Sequence, residues 1–221
     1  MEILNRDWLY LLRLVWEVVA PRRCAVCCQE IHNGIFCQVC RENFVLQKLL
    51  EQQGQLQFVH LLFKYTQQLQ EHIRGLKFHG RSDYLRPLAE EAELSLSEAG
   101  WQELWRQYDA VCPVPTSVER RQQRGFEVPE ELFRFAPQNK FRRLLRRIRN
   151  TAPLYNLSGR ERRQELAGCF ACNSVVKGLR ILLLDDIYTT GATADEAAKT
   201  LLEAGAMRVD ILAFSGGKNY F

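Results

Sequence analysis

Apolar positions along the 221-residue chain change their spacing several times, and each spacing predicts a different element. From residue 110 onward, short apolar runs alternate with helical patterns. Residues 110–114, 180–185 and 209–214 read as strands, whereas 130–135 and 193–203 read as helices. In the last of these, Ala194, Ala197, Ala198, Leu201 and Leu202 form the inner stripe and Glu196, Lys199 and Glu203 the outer one, with Gly205 as the stop signal. Parallel strands need such crossover helices, so the pattern predicts an α/β fold: a parallel sheet flanked by helices on both faces.

The first half is more varied. Residues 58–65 form a β-branched and aromatic run that predicts a strand. A helical pattern then passes through Leu69, Ile73 and Leu76 and ends near Phe78-His79-Gly80, and a second helix runs through Tyr84, Leu88, Ala92 and Leu96. Residues 47–57 are Gln-rich and polar and read as a linker, although their Leu and Lys content also permits a helical extension. Residues 1–20 read as an amphipathic helix leading into Pro21. Its apolar part, 8–20, contains Arg13 and Glu17, too short and too charged to span a bilayer, and no cleavage site follows, so we expect no membrane span and a cytoplasmic protein. The expected domains are 1–45 and 58–221.

Composition adds a core and a charge asymmetry. Apolar residues make up 47% of the chain, enough for a conventional core. Net charge is only +4, yet residues 112–163 hold thirteen Lys/Arg against five Asp/Glu. That local excess suits a polyphosphate as well as it suits a nucleic-acid strand.

The densest chemistry lies at 181–193. Ile181 to Leu184 read as a strand buried on both faces, followed by Asp185, Asp186 and the small, hydroxyl-rich run Thr189, Thr190, Gly191, Ala192 and Thr193, where a helix begins. Ligands of parallel sheets gather at that strand end. The loop offers backbone N–H groups, hydroxyls and a helix N-terminus to an anion, while two carboxylates suit sugar hydroxyls or a hard cation such as Mg²⁺.

Five of the eight cysteines fall between 24 and 40. Cys24 and Cys27, then Cys37 and Cys40, form two CxxC pairs whose thiolates match a closed tetrahedral Zn²⁺ site. Cys28 is an alternative to Cys27, disulfides are the competing account, and His32 reads as a loop residue. Cys169 and Cys172 form a third CxxC that reads as a buried or incidental pair, and Cys112 reads as core. Residues 140–149 are ambiguous. Phe141, Leu144, Leu145 and Ile148 keep helical spacing with Arg142, Arg143, Arg146 and Arg147 opposite, but part of the segment also suits a strand.

The acid pair and its Thr/Gly loop resemble the phosphoribosyl-pyrophosphate (PRPP) motif of the type I phosphoribosyltransferases. That resemblance implies that Asp185 and Asp186 attend ribose hydroxyls and that Thr189 to Thr193 hold the 5′-phosphate, with Tyr188 at a position that is usually aliphatic. Taken with the paired CxxC motifs, Ile73-Arg74-Gly75-Leu76-Lys77-Phe78-His79-Gly80, Pro113-Val114-Pro115 and residues 120–126, the chain resembles the ComF (ComFC) competence family over about residues 8–215. The resemblance implies a zinc module ahead of a phosphoribosyltransferase-like domain, and an association with uptake of transforming DNA. Departures are Glu127-Val128 where Asn-Gln is usual, Leu154 where a Gln is usual and Glu165 where an Asn is usual, which alter a polar contact surface.

Two functional readings follow. In one, the chain is a Mg²⁺-dependent phosphoribosyltransferase of unknown acceptor, with Arg120, Arg121 and Arg124 closing over the pyrophosphate of PRPP. In the other, it binds PRPP or a nucleoside monophosphate without catalysis and works with single-stranded DNA and competence machinery proteins. Arg142, Arg143, Arg146 and Arg147 would then contact phosphates, and Phe126, Phe141 and Tyr155 would stack on bases. No residue is placed by sequence as a catalytic base.

Overall fold

Alternation of strands and helices carries the second half of the molecule. The structure is a computed structural model that describes residues 23–24, 27–32, 34–78, 85–98, 102–151 and 157–216. The helix expected over 1–20, along with His79, Gly80, Tyr84, Leu154 and Tyr155, lies outside the described residues. Two compact units make up the chain, Met1–Phe44 and Val45–Phe221.

The first unit contains α1 (Gln38–Phe44). The second begins with β1 (Val45–Gln53) and β2 (Leu56–Lys64), followed by α2 (Gln67–Phe78), α3 (Leu85–Glu98) and the short α4 (Gln102–Arg106). Next come β3 (Ala110–Pro113), α5 (Val118–Arg124), α6 (Val128–Leu132) and β4 (Leu145–Arg147). The chain continues through α7 (Gly159–Leu166), β5 (Phe170–Cys172), β6 (Arg180–Tyr188), α8 (Ala192–Glu203) and β7 (Arg208–Gly216).

The main sheet has the order β1-β2-β7-β6-β3. Strands β2, β7, β6 and β3 are parallel, and β1 is antiparallel to β2, so the sheet is mixed and mostly parallel. β4 and β5 form a separate antiparallel pair. Ile181 to Leu184 have no exposed surface, as a strand covered on both faces requires. Ile181, Leu183, Ile211 and Ala213 share one core with Ala194, Ala197, Ala198 and Leu201 of α8. Leu69, Ile73, Leu76, Leu88 and Ala92 of α2 and α3 are likewise buried.

Several expectations from sequence need correction. Residues 47–57 are not a linker: they supply most of β1 and the turn into β2. β1 lacks clean alternation because it is an edge strand, with Leu49, Glu51 and Gln52 exposed. Gly54 makes the turn at φ +60°, and a side chain there would collide with the Asp195 carboxylate, which accepts the Gln55 N–H. The strand expected to end at 185 continues through Tyr188, held by pairing to β7 as far as Gly216. The residues after Pro115, which lack a clear helical pattern in sequence, contain α5, whose N-terminus is capped by the Ser117 side chain accepting from Arg120 N. The helix expected over 130–135 is instead α6, entered through Pro129 and ended at Phe133.

At the amino ends of the strands, Asp210 is fully buried and accepts from Tyr108 Oη (2.6 Å), Phe58 N (2.9 Å) and Arg208 Nε (2.6 Å). These bonds tie the start of β7 to β2 and to the approach to β3. Burial there pushes His60 down to about 4.

Candidate functional site

In the last third of β6 the sequence changes from apolar to acidic, and that end of the strand faces the same way as the carboxyl ends of β2, β3 and β7. Asp185 and Asp186 are the sixth and seventh residues of β6. Asp185 accepts the Asp186 N–H at 2.8 Å, which fixes its carboxylate close to the strand. Asp186 is 5% exposed and takes both oxygens to Lys77 Nζ, from the last turn of α2, at 2.8 and 2.7 Å. Burial, and then the Asp186 charge, raise the Asp185 carboxyl well above the usual carboxylate range, while Lys77 acts in the opposite direction.

Thr189, Thr190 and Gly191 turn the chain from β6 into α8, and Ala192 and Thr193 open that helix. Gly191 is the N-cap at φ +75°. A Cβ at this position would stand 2.4 Å from the Tyr188 hydroxyl, so the buried Tyr188 ring underlies the turn. The unusual aromatic residue therefore fills the space that the glycine leaves. Arg162 of α7 donates to Thr189 Oγ1 at 3.3 Å and to Leu157 O at 2.9 Å, bringing a second helix against the loop.

Of the candidates on α5, Arg120 is half-buried and Arg121 exposed. Arg124 has Nε and Nη1 buried without a hydrogen-bond partner among the described residues. Burial lowers its pKa, opposed by the nearby charges of Asp186 and Glu127. The Asp186 charge thus bears on Arg124. Glu127 is itself buried and accepts from Thr116 N (3.3 Å) and Thr116 Oγ1 (2.7 Å), which locks the loop after β3 to the start of α6.

The segment 140–149 is not a helix. Phe141 bridges to Val111, and residues 145–147 form β4, so the four arginines do not share one helical face. Arg142 and Arg146 are exposed. Arg143 is held by Glu130 in a two-bond pair, both at 2.6 Å. Arg147 is half-buried, with its guanidinium 5.7 Å over the Phe170 ring and Nε unpartnered among the described residues. A pocket of about 120 Å³ lies at the carboxyl end of β3, against Pro113 and Pro115.

In the first unit, the Sγ atoms of Cys24, Cys27, Cys37 and Cys40 all lie within 4.8 Å of one another. Cys27 and Cys37 Sγ are 3.6 Å apart, close to the roughly 3.8 Å edge of a tetrahedron with 2.3 Å metal–sulfur bonds. Cys24 N donates to Gln29 O (2.7 Å) and Cys28 N to Cys24 O (3.0 Å), folding the first pair into a knuckle. Cys28 stands at φ 59° on that turn, exposed and outside the group, as is His32. The second pair is set by α1, with Cys40 N donating to Cys37 Sγ at 3.4 Å. Burial and the neighbouring thiols push Cys40 up. This soft, four-sulfur set fits a metal ion. Cys112 and Cys169 are buried, and Cys172 is half-buried.

Sequence reasoning missed Lys77 and Arg162 as parts of this site, and met Glu127 only as a departure from the family pattern. Lys77 stood inside a quoted motif, but nothing in its neighbours revealed a carboxylate partner 109 residues away.

Fold and site together define an α/β protein with an acidic pair and a hydroxyl-rich loop at the carboxyl end of a parallel strand, accompanied by a separate four-cysteine unit. No protein-family model matches the chain. It is 27% identical over 202 residues to the DNA utilization protein YhgH of Salmonella typhimurium, covering 85% of this chain and 87% of that protein. Competence protein F of Haemophilus influenzae is 24% identical over 201 residues, with 85% and 87% covered. Competence protein ComFC of Bacillus subtilis is 26% identical over 171 residues, with 76% and 67% covered. These similarities to competence and DNA utilization proteins support the ComF family for this chain. Among the described residues no helix is long and apolar enough to cross a membrane.

Proposed function

We propose that this protein acts in natural competence, in the handling of incoming DNA, through a phosphoribosyltransferase-like domain whose site holds PRPP or a nucleoside monophosphate. The observation that carries the ligand reading is the succession at the end of β6: Asp185 and Asp186, then a turn of Thr189, Thr190 and Gly191 into the N-terminus of α8. An anion at Thr189 to Thr193 meets hydroxyls and the positive end of the helix dipole. The acids lie on the strand side of that anion, where ribose hydroxyls or a Mg²⁺ ion carried by the ligand would meet them. Lys77 then exchanges Asp186 for the ligand, and Arg120, Arg121 and Arg124 supply positive charge to a pyrophosphate. The competence role is supported by the names of the relatives, which are competence and DNA utilization proteins. Cys24, Cys27, Cys37 and Cys40 hold a structural Zn²⁺ ion, the metal that closed four-thiolate sites most often take.

Calorimetry with PRPP and Mg²⁺ tests the ligand reading. Thr190→Val should cost about 1 kcal/mol, one hydroxyl contact, and Asp185→Asn/Asp186→Asn considerably more. Unchanged affinity in the double variant would overturn the assignment. A pyrophosphate-release assay with bases, amines and nucleic acids separates a transferase from a binding protein.

The second reading, binding of single-stranded DNA, is favoured by the exposed Arg142 and Arg146 and the local excess of basic residues. Arg142→Gln/Arg146→Gln should weaken binding across all sequences and reduce the log–log salt slope by about 0.7 per lost contact. Equal binding by parent and variant over a range of salt would remove that reading.

A further inference from the structure

Strands buried on both faces carry no hydrophobic pattern that fixes their register, and β6 and β7 are strands of this kind. Ile181 to Leu184 and Ile211 to Phe214 have no exposed surface. In a half-buried strand, a slip of one residue turns apolar side chains to water, and that penalty holds the pairing in place. Between two apolar faces the penalty is weak. Some other signal has to choose one alignment of β2, β7, β6 and β3 over its neighbours.

Asp210 is the one charged residue in the run 209–215, and it has no exposed surface. Its carboxylate gathers segments far apart in the sequence. Oδ1 accepts the Phe58 N–H (2.9 Å), just before the parallel ladder of β2 with β7 begins at Val59 and Ile211. Oδ2 accepts from Arg208 Nε (2.6 Å) and Tyr108 Oη (2.6 Å). Tyr108 precedes β3, and β6 lies between β3 and β7, so the phenol reaches across the start of β6. Burial, and then the Asp210 bond, raise the Tyr108 hydroxyl above the usual phenol range, which keeps it a donor. The Arg208 guanidinium lies 4.9 Å from the Phe58 ring and 5.5 Å from the Tyr108 ring.

These partners meet in one alignment only. A one-residue slip of β7 turns Asp210 to the opposite face, where Val59, Leu61, Ile181 and Leu183 offer an ionised carboxylate no donor. A two-residue slip restores the face but moves the carboxylate by about 6.6 Å, out of reach of Phe58 N and Tyr108 Oη. Arg208 travels with Asp210 in either slip. The discrimination therefore comes from the Phe58 amide and the Tyr108 hydroxyl, which stay behind. A buried ion pair adds little net stability over apolar side chains of similar size, so selection is the larger part of what this cluster can do.

We infer that Asp210, with Arg208, Tyr108 and the Phe58 amide, is a register key: it selects one alignment of β2, β7 and the approach to β3 rather than adding to the net stability of the sheet. The key needs no ligand. It bears on the opposite end of the strands because Lys64 of β2 and Tyr188 of β6 both pair with Gly216. A slip of β2 against β7 would draw α2, and Lys77 with it, away from Asp186 by about 3.3 Å per residue.

The test is amide NMR and hydrogen exchange on the full chain. Tyr108→Phe/Arg208→Met/Asp210→Leu removes the polar side chains at nearly constant volume. It should melt within about 5 °C of the parent. It should also show a second set of resonances for residues 58–64 and 208–216, at about a tenth of the main intensity or more, and roughly tenfold faster exchange at Val59 and Leu61. Asp210→Asn, which keeps an acceptor for Phe58, should give a single set. So should Ser215→Ala, which removes the other buried polar side chain of β7, a donor to Phe63 O. A single set with parent-like exchange in the triple variant overturns the key, as does a second set in Ser215→Ala. Should the triple variant not fold, Tyr108→Phe decides, since it cuts the link across β6 and leaves the ion pair. A second set of resonances there upholds the key, and a single set overturns it.

Discussion

Lys77 Nζ donates to both carboxylate oxygens of Asp186, at 2.8 and 2.7 Å, and joins the last turn of α2 to the end of β6. The acid is 7% exposed in its side chain and the lysine 26%, so the pair is largely shielded from water. Removal of one partner leaves a charge without compensation. Lys77→Met should destabilise the protein by about 3 kcal/mol in denaturant unfolding. Lys77→Met/Asp186→Asn should recover most of that loss, and a double variant as unstable as the single one would show that the lysine acts through packing alone.

Asp185 carries a pH dependence of defined sign. Its folded pKa is raised, first by burial and then by Asp186, so the folded state holds the proton more tightly than the unfolded chain does. The associated stability is complete below the unfolded value of about 3.9 and is lost as pH rises through the raised folded value. Thermal midpoints of the ligand-free protein should therefore fall between pH 5 and neutrality by an amount that Asp185→Asn reduces. The variant should also be the more stable protein at neutral pH. Parallel pH profiles for parent and variant would contradict this account.

Gly191→Ala tests the turn that leads into α8. It forces a side chain into the left-handed region and against the Tyr188 hydroxyl, so we expect about 1–3 kcal/mol of destabilisation together with weaker binding of phosphate ligands. Tyr188→Phe/Gly191→Ala should recover only part of the loss, because Tyr188 Cζ lies 2.9 Å from the added Cβ. Denaturant unfolding read beside phosphate titration separates the two effects.

Protein purified without added metal should contain one tightly held zinc ion per chain. Cys27→Ser should abolish it, and Cys28→Ser, on the outside of the knuckle, should not. Loss of the ion removes on the order of 10 kcal/mol from a unit this small, so proteolysis within 23–44 should accelerate sharply after chelation. Elemental analysis finding no zinc, or equal zinc in the two variants, would count against the assignment.

Some of this arrangement was legible in the sequence because its signals are local. Ile181 to Leu184 announce a buried strand, the following acids and threonines a strand–turn–helix junction, and the paired CxxC spacing a four-thiol cluster. The relations that were not legible are long-range or are decided by packing. Arg143 reads as a free basic residue until α6 brings Glu130 beside it. Glu127 reads as a departure from a polar contact surface until Thr116 is seen to donate to it from both its backbone N–H and its hydroxyl. The arginines at 142–147 keep helical spacing, yet pairing with β5 makes residues 145–147 a strand, since three residues carry too little periodicity to outweigh tertiary pairing. β1 was hidden for the same reason, its polar composition reflecting an edge position.

That edge position sets where the chain can be cut. A fragment beginning at residue 58, the limit suggested by composition, would keep the acid pair, the threonine turn and every arginine discussed above. It would lose β1, however, and with it the cover over β2, whose Val59, Leu61, Leu62 and Phe63 are wholly buried. The bare N–H and C=O groups of an apolar strand are a template for self-association. The same cut removes Gly54 and Gln55, the backbone that meets Asp195 in the first turn of α8. Such a fragment would therefore tend to dimerise or aggregate through its open flank while slackening the helix that begins at the threonine turn. A faithful minimal version of the larger unit starts no later than Val45.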